Sequence, residues 1–269
     1  MKRREFCRNT LAGGVIASFP ILAAGARANT GIEAVSLGGA SIELEKAVVN
    51  ELADEMSGRL ILAGHPEYDT VRKVWNGMHD KRPALIARCA NANDAGHAVN
   101  FARENNLLVA VRGGGHSWPG KSVCDGGIMI DLAEMVDVKV DTGAKSAHVQ
   151  GGALLGHLDA ATLPQGLVTT TGVVSHTGVG GFTLGGGFGR LNRTQGLADD
   201  LRVSLAGGSS DGLERAACPE QLPHLLWALR GGGGNFGVTT RFEFQLYPFN
   251  RKVLSGMIVW PVEQARDVL

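Results

Sequence analysis

Glycine constrains this chain more than any other residue. There are 39 glycines in 269 residues, about twice the usual share of ~7%. They fall in clusters at 113–115, 126–127, 151–152, 178–189 and 231–237, without a fixed period. That distribution argues against a collagen-like or low-complexity chain. Clustered glycine between apolar runs means backbone that turns sharply or lies against something, most often a ligand. A formal net charge of zero leaves no electrostatic footprint of a nucleic-acid binder.

Between the clusters the apolar pattern is legible. Leu44, Val48, Leu52 and Met56 recur every fourth residue among Glu43, Glu45, Lys46 and Glu51, which predicts a helix over 42–56. After Pro83, the run Ala84–Ala87 reads as a short strand. Asn93 and Asp94 are placed to cap a helix whose apolar face is Ala95, Ala98, Val99 and Ala102. Leu107–Val111 is a second apolar run, ending at Arg112. Strand, helix and strand over so short a span predict a βαβ crossover and a partly parallel sheet. Strands are also expected at Ile128–Ile130 and Ala147–Val149, with a helix from Ala153 to Leu163 stopped by Pro164-Gln165-Gly166. Phe242, Phe244 and Leu246 alternate with Arg241, Glu243 and Gln245, the pattern of a half-buried strand. The expected class is α+β with a βαβ start.

The first residues read as a targeting segment. Lys2-Arg3-Arg4-Glu5-Phe6 precedes a modestly apolar stretch from Leu11 to Ala26, and Ala26-Arg27-Ala28 offers a small-x-small cleavage site. The stretch is short and softened by Gly13, Gly14 and Pro20 for a membrane span, which needs ~20 apolar residues. Residues 1–28 are therefore expected to be a twin-arginine signal peptide, engaging the Tat export machinery and delivering a folded protein to the periplasm or beyond; an uncleaved anchor is the alternative. The mature chain would keep Cys89, Cys124 and Cys218, an odd count without a CxxC pair, so neither a disulfide framework nor a zinc site is expected and no metal is assigned.

Three glycine motifs compete for a functional reading. Gly115-His-Ser-Trp-Pro-Gly120-Lys121-Ser122 matches the phosphate-loop pattern GxxxxGK[ST]. Such a loop cradles phosphates with successive N–H groups and opens into a helix. Here Pro119 has no N–H, Trp118 is bulky, and Val-Cys-Asp-Gly-Gly leads into another strand. The same proline spoils a hydrolase elbow around Ser117. Gly232-Gly-Gly234-Asn-Phe-Gly237 satisfies GxGxxG, but the β-favouring Val238-Thr239-Thr240 follows where a dinucleotide fold needs a helix. What remains is a set of glycine loops between strands, expected to bind a pyrophosphate through backbone N–H groups without a helix.

Taken together and in order, Val111-Arg-Gly-Gly-Gly-His116-Ser-Trp-Pro-Gly, Gly178-Val-Gly-Gly-Phe-Thr-Leu-Gly-Gly-Gly-Phe-Gly189 and Leu226-Trp-Ala-Leu-Arg-Gly-Gly-Gly-Gly-Asn-Phe-Gly237 resemble the FAD-linked oxidases of the berberine bridge enzyme type. That group lies within the vanillyl-alcohol oxidase and p-cresol methylhydroxylase (PCMH) superfamily. Tyr68, Arg72 and Trp75-Asn76-Gly77 resemble the segment that precedes its flavin domain. The resemblance implies a two-subdomain PCMH-type FAD-binding domain over 80–249, preceded by a lead segment at 29–79. Residues 250–269 would open a substrate domain that is largely missing.

The resemblance also assigns roles. Arg112, Gly113, Gly114, Gly115, His116 and Ser117 would wrap the pyrophosphate, with His116 bonded to the 8α-methyl carbon of the flavin; a neutral imidazole is a fair nucleophile, and alkylating the flavin ring system raises its potential. The plain alternative is an imidazole donating a hydrogen bond in a tight loop. Gly178, Val179, Gly180, Gly181, Gly185, Gly186 and Gly187 would line the isoalloxazine and diphosphate, and Val238 would sit close by. Doubly linked members carry cysteine in a Gly-x-Cys pattern where this chain has Val174, so one covalent bond is expected, not two. His176 is a candidate near the flavin, or simply a polar loop residue. Residues 201–224 depart from the family pattern and suggest a frame change or strong divergence. The activity implied is hydride transfer from a small organic substrate to flavin, with oxygen or another electron acceptor; no catalytic residue is assigned. A truncated, non-catalytic flavin-binding remnant is the alternative, and a phosphate-loop NTPase a remote one.

Overall fold

The structure is a computed structural model that describes residues 31–198, 216–249, 253–254 and 256–268. Residues 1–28, expected to direct export, and residues 201–215 of the divergent stretch lie outside the described residues.

Two antiparallel strands come first, β1 (Gly31–Val35) and β2 (Ser41–Glu45), followed at once by helix α1 (Lys46–Glu55). The helix expected from residue 42 therefore begins at 46. Ile42 and Leu44 alternate with Glu43 and Glu45, and that two-residue period lets β2 pair along β1 before the helical period takes over.

The main sheet holds β3 (Arg59–Leu62), β4 (Leu85–Arg88), β5 (Val109–Arg112) and β6 (Ile128–Asp131) in the order β3-β4-β6-β5. Helix α2 (Tyr68–Val71) lies between β3 and β4 in the chain, and α3 (Ala92–Glu104) crosses from β4 to β5. The parallel crossover is present, but β4 and β5 are not neighbours: each pairs in parallel with β6, which fills the gap between them. All four β6 residues are buried, as expected of a strand flanked on both sides and covered on both faces.

The cap of α3 is Asn91, not Asn93 or Asp94. Asn91 has the extended backbone that a cap position requires, and its side chain accepts the Asp94 N–H at 3.1 Å. Asp94 sits one turn in and does something else. Its buried carboxylate accepts the N–H groups of Ser57, Gly58 and Ala90 at 2.9, 2.9 and 2.8 Å, pinning the entry to β3.

The second sheet contains β7 (Val138–Asp141) and β8 (Ser146–Gln150), followed in the chain by helix α4 (Leu155–Thr162) and the short β9 (Leu167–Val168). Helix α5 (Val179–Leu184), α6 (Asn192–Gln195) and α7 (Pro223–Gly232) precede β10 (Arg241–Gln245), which returns to pair with β8. The short β11 (Tyr247–Pro248) pairs with β9.

Two principal cores result. Leu85, Ala87, Ile128 and Ile130 pack with Ala95 and Ala98 of α3 and with Val49 and Leu52 of α1. Ala147, Val149, Leu155, Leu158, Phe242 and Phe244 pack with Val179 and Leu184. Ile61, Ile86 and Met129 turn to the opposite face of the main sheet, against Tyr68, Val71 and Val123. The fold is the expected α+β arrangement with two subdomains. Val238 enters the first core and Phe242 the second, so the short stretch between them ties the two together. Cys89, Cys124 and Cys218 are free thiols.

Candidate flavin site

The segment after β5 turns repeatedly and reaches β6 without forming a helix, which removes the context that a phosphate-loop NTPase requires. Gly115 and Gly120 adopt left-handed backbone at φ 70° and 67°. Among the described residues, no acceptor takes the N–H groups of Gly113, Gly114, Gly115, His116 or Ser117. Five successive donors are thus free of internal partners.

The glycines around this segment pack mainly on one another. A Cβ on Gly114 would lie 2.3 Å from the Gly178 nitrogen, and one on Gly178 would lie 2.3 Å from the Gly114 nitrogen. Cβ atoms on Gly113 and Gly180 would crowd the same carbonyl oxygen, that of Gly151, at 3.2 and 3.0 Å. Gly151 is pressed in turn against the Thr239 carbonyl. The glycine clusters at 113–115, 151–152 and 178–180 therefore meet, and backbone contact alone accounts for several of them.

The other assigned residues divide in the same way. Gly181 is exposed, with nothing within 4 Å of a Cβ built on it, so it leaves open space. Gly186 and Gly187 have φ of 103° and 71°, and a Cβ on Gly187 would meet that of Ala198. They close α5, with Gly185 as its C-cap. The expectation of glycine loops without a helix is corrected here: Val179 to Leu184 is helical, because Val179, Thr183 and Leu184 bury one face that compensates for its glycines. Val179 and Val238 are buried core side chains. The Arg112 guanidinium donates to the Val71 carbonyl and lies 3.5 Å from the buried Asp131 carboxylate, while its buried Nε, beside Gly115 of the loop, has no hydrogen-bond partner among the described residues. The Ser117 hydroxyl accepts the Lys121 N–H at 3.0 Å and closes a turn.

His116 has a defined setting. Its ring stacks on Trp75 with centroids 5.1 Å apart and planes 19° from parallel. Its Nε2 lies 2.6 Å from Nδ1 of His176. Burial first, and then the neighbouring His176 charge, hold the His116 pKa below the usual 6.5, which favours the neutral ring. Trp75 is itself positioned by its N–H, which donates to the Gly115 carbonyl at 3.1 Å. Asn76 and His79 both contact the Trp118 carbonyl, at 2.9 and 3.0 Å. Sequence reasoning placed Trp75 only in a preceding segment; the Trp-Asn-Gly motif was the one signal available. It placed His176 near the site but not against His116.

Residues 83–212 match the model of the FAD binding domain family. The chain is 39% identical over 217 residues to the (R)-6-hydroxynicotine oxidase of Paenarthrobacter nicotinovorans, covering 78% of this chain and 46% of that protein. The chain carries a PCMH-type FAD-binding domain.

Solved structures of this family agree. The 6-hydroxy-D-nicotine oxidase from Arthrobacter nicotinovorans superimposes with a TM-score of 0.70 at 37% identity, over 72% of this chain and 43% of the oxidase. The glucooligosaccharide oxidase from Acremonium strictum, described as carrying a 6-S-cysteinyl, 8α-N1-histidyl FAD, gives a TM-score of 0.70 at 31% identity, over 74% of this chain and 42% of that one. The chain spans about half the length of the curated relatives it matches.

The residues present fit FAD. Five free N–H donors suit a diphosphate, and Gly181 leaves room for a close approach. The buried hydroxyls of Thr183, Thr239 and Thr240 have no hydrogen-bond partner among the described residues, an unused capacity near the glycine junction.

Proposed function

We propose that the chain holds FAD with the N–H groups of 113–117 at the diphosphate and His116 as its single covalent anchor, and that it serves a flavin-dependent oxidation of a small organic substrate. Bound FAD would supply the two-electron acceptor for a hydride leaving a substrate C–H bond, with oxygen or another acceptor taking the electrons onward. The observation that carries the reading is the state of His116. Its Nε2 is engaged by His176 while Nδ1 has no partner among the described residues. The N1-histidyl linkage of glucooligosaccharide oxidase joins flavin through the ring nitrogen that corresponds to Nδ1. Val174 stands where doubly linked relatives have cysteine, which supports one bond.

The chain's own residues would bind and orient. Gly181 admits the flavin without a side chain in the way, Trp75 fixes the ring plane of His116, and the Gly114–Gly178 contact holds the two loops together. The test is an anaerobic titration of the purified yellow chain with candidate alcohols, amines and sugars. Bleaching of the flavin absorbance by one class supports turnover, while persistent colour with every class marks a chain that holds flavin without turning over.

We further infer export by the twin-arginine route, supported by Arg3-Arg4, the Leu11–Ala26 stretch and Ala26-Arg27-Ala28. Fusion of residues 1–28 to a reporter should give export that fails when Arg3 and Arg4 are both replaced by lysine; equal export of the variant would refute it.

A further inference from the structure

We propose that His176 is the base that prepares His116 for attachment, accepting the Nε2 proton of His116 so that Nδ1 is the reacting nitrogen. The inference rests on the reading above that His116 carries the flavin. It starts from the short contact. Two imidazole nitrogens 2.6 Å apart need one proton between them, since two lone pairs or two N–H groups would repel. If His116 donates, its proton sits on Nε2 and the lone pair on Nδ1 is bare. If His176 donates, neutral His116 keeps its proton on Nδ1 and cannot react there. Only the first tautomer makes Nδ1 a nucleophile.

The surroundings favour proton flow in that direction. His116 is half-buried against Trp75, whereas His176 is exposed, so charge gained by His176 is solvated. Neither ring forms an ion pair with a carboxylate among the described residues; the described histidine–carboxylate pair is His97 with Glu55. The aromatic face of Trp75 can stabilise the positive charge that develops on His116 as its new bond forms.

The position of His176 is fixed on both sides. The Leu155 N–H donates to the Thr177 carbonyl at 2.9 Å, the Gly156 N–H to the Ser175 carbonyl at 2.8 Å, and the Thr177 N–H to the Val174 carbonyl at 3.1 Å. The Gly114–Gly178 contact then brings this anchored segment against the loop that carries His116.

The step balances. A bond forms between Nδ1 of His116 and the flavin 8α carbon, which loses one C–H bond as a proton. The Nε2 proton of His116 passes to His176 and then to water. The two electrons released stay on the flavin ring and are removed by dioxygen or another two-electron acceptor. His176 acts through His116, so it is a positioning residue and proton acceptor.

The test uses the full chain, produced under riboflavin depletion and then supplied with FAD in air. Flavin bound before and after acid denaturation is measured over time for the wild type, His116→Ala, His176→Ala and His176→Asn. His176→Ala should still bind FAD non-covalently but attach it about 100-fold more slowly, the scale of a lost general base. His176→Asn, whose amide oxygen can accept the Nε2 hydrogen bond but cannot carry the proton away, should fall between. Added imidazole should speed attachment in His176→Ala and leave the wild type unchanged, a rescue that a purely structural role would not give. Attachment in His176→Ala at the wild-type rate would overturn the proposal. Loss of non-covalent binding in that variant would also overturn it, since His176 would then shape the site and not handle the proton. If the wild type itself releases all its flavin on denaturation, the His116 linkage fails, a result distinct from either of these.

Discussion

Gly114 and Gly178 touch backbone to backbone, each leaving no room for a methyl group beside the nitrogen of the other. They come from loops on either side of the two-core boundary, and neither contact partner is a flexible side chain that could yield. Gly114→Ala and Gly178→Ala should each destabilise the chain by about 1–3 kcal/mol, the usual cost of overpacking. Thermal denaturation without FAD would show this, because the clash is internal to the protein. An unchanged melting temperature in either variant would refute the contact.

Gly181 should behave in the opposite way. It lies in α5, is exposed and has open space where a Cβ would go. Gly181→Ala should leave the FAD-free chain as stable as the wild type or more stable by up to about 1 kcal/mol, the helix preference for alanine. FAD affinity should nonetheless fall, because the added methyl group occupies space read here as the flavin's. Fluorescence titration with FAD alongside the melting curve separates the two effects.

The FAD-free chain should lose stability as pH falls below about 6.5. Burial and the neighbouring His176 hold the His116 pKa below its usual value of 6.5. The unfolded chain therefore takes up the proton first, so this group's share of stability is complete above 6.5 and declines as pH drops toward the lower folded value. His116→Gln removes that titration. Its melting temperature should fall less steeply than the wild type's between neutral pH and about pH 5; identical slopes would contradict the assignment.

Asp94 offers a test of the fold apart from the site. Its buried carboxylate accepts three backbone N–H groups, and truncation leaves those donors without a partner. Asp94→Ala should cost about 3 kcal/mol or more, against about 1 kcal/mol for loss of the Asn91 cap in Asn91→Ala. Urea denaturation of the two variants would rank them.

What was legible in the sequence was local. The apolar runs at 84–87, 128–130 and 242–246 announce strands because each is continuous or strictly alternating, and Pro164-Gln165-Gly166 stops a helix through its own backbone chemistry. The insertion of β6 between β4 and β5 was hidden, since strand order depends on which buried strand needs two neighbours. Helix α5 was masked because glycine lowers helix propensity, while the burial of Val179 and Leu184 that overrides it is tertiary. At the site, the motifs located the loops but not the reasons for them. Gly114 and Gly178 are required by each other, and His176 meets His116 across 60 residues of sequence. The approach of the Arg112 guanidinium to the buried Asp131 likewise joins residues far apart in the sequence.

Peptide mapping of the purified full chain decides whether the flavin is held by one covalent bond to His116. The protein is denatured in acid, digested, and its flavin-fluorescent fragments sequenced by mass spectrometry. Single attachment at His116 predicts one flavin-bearing peptide, modified at that residue, and an unmodified peptide spanning Val174. Free FAD together with an unmodified His116 peptide would contradict it.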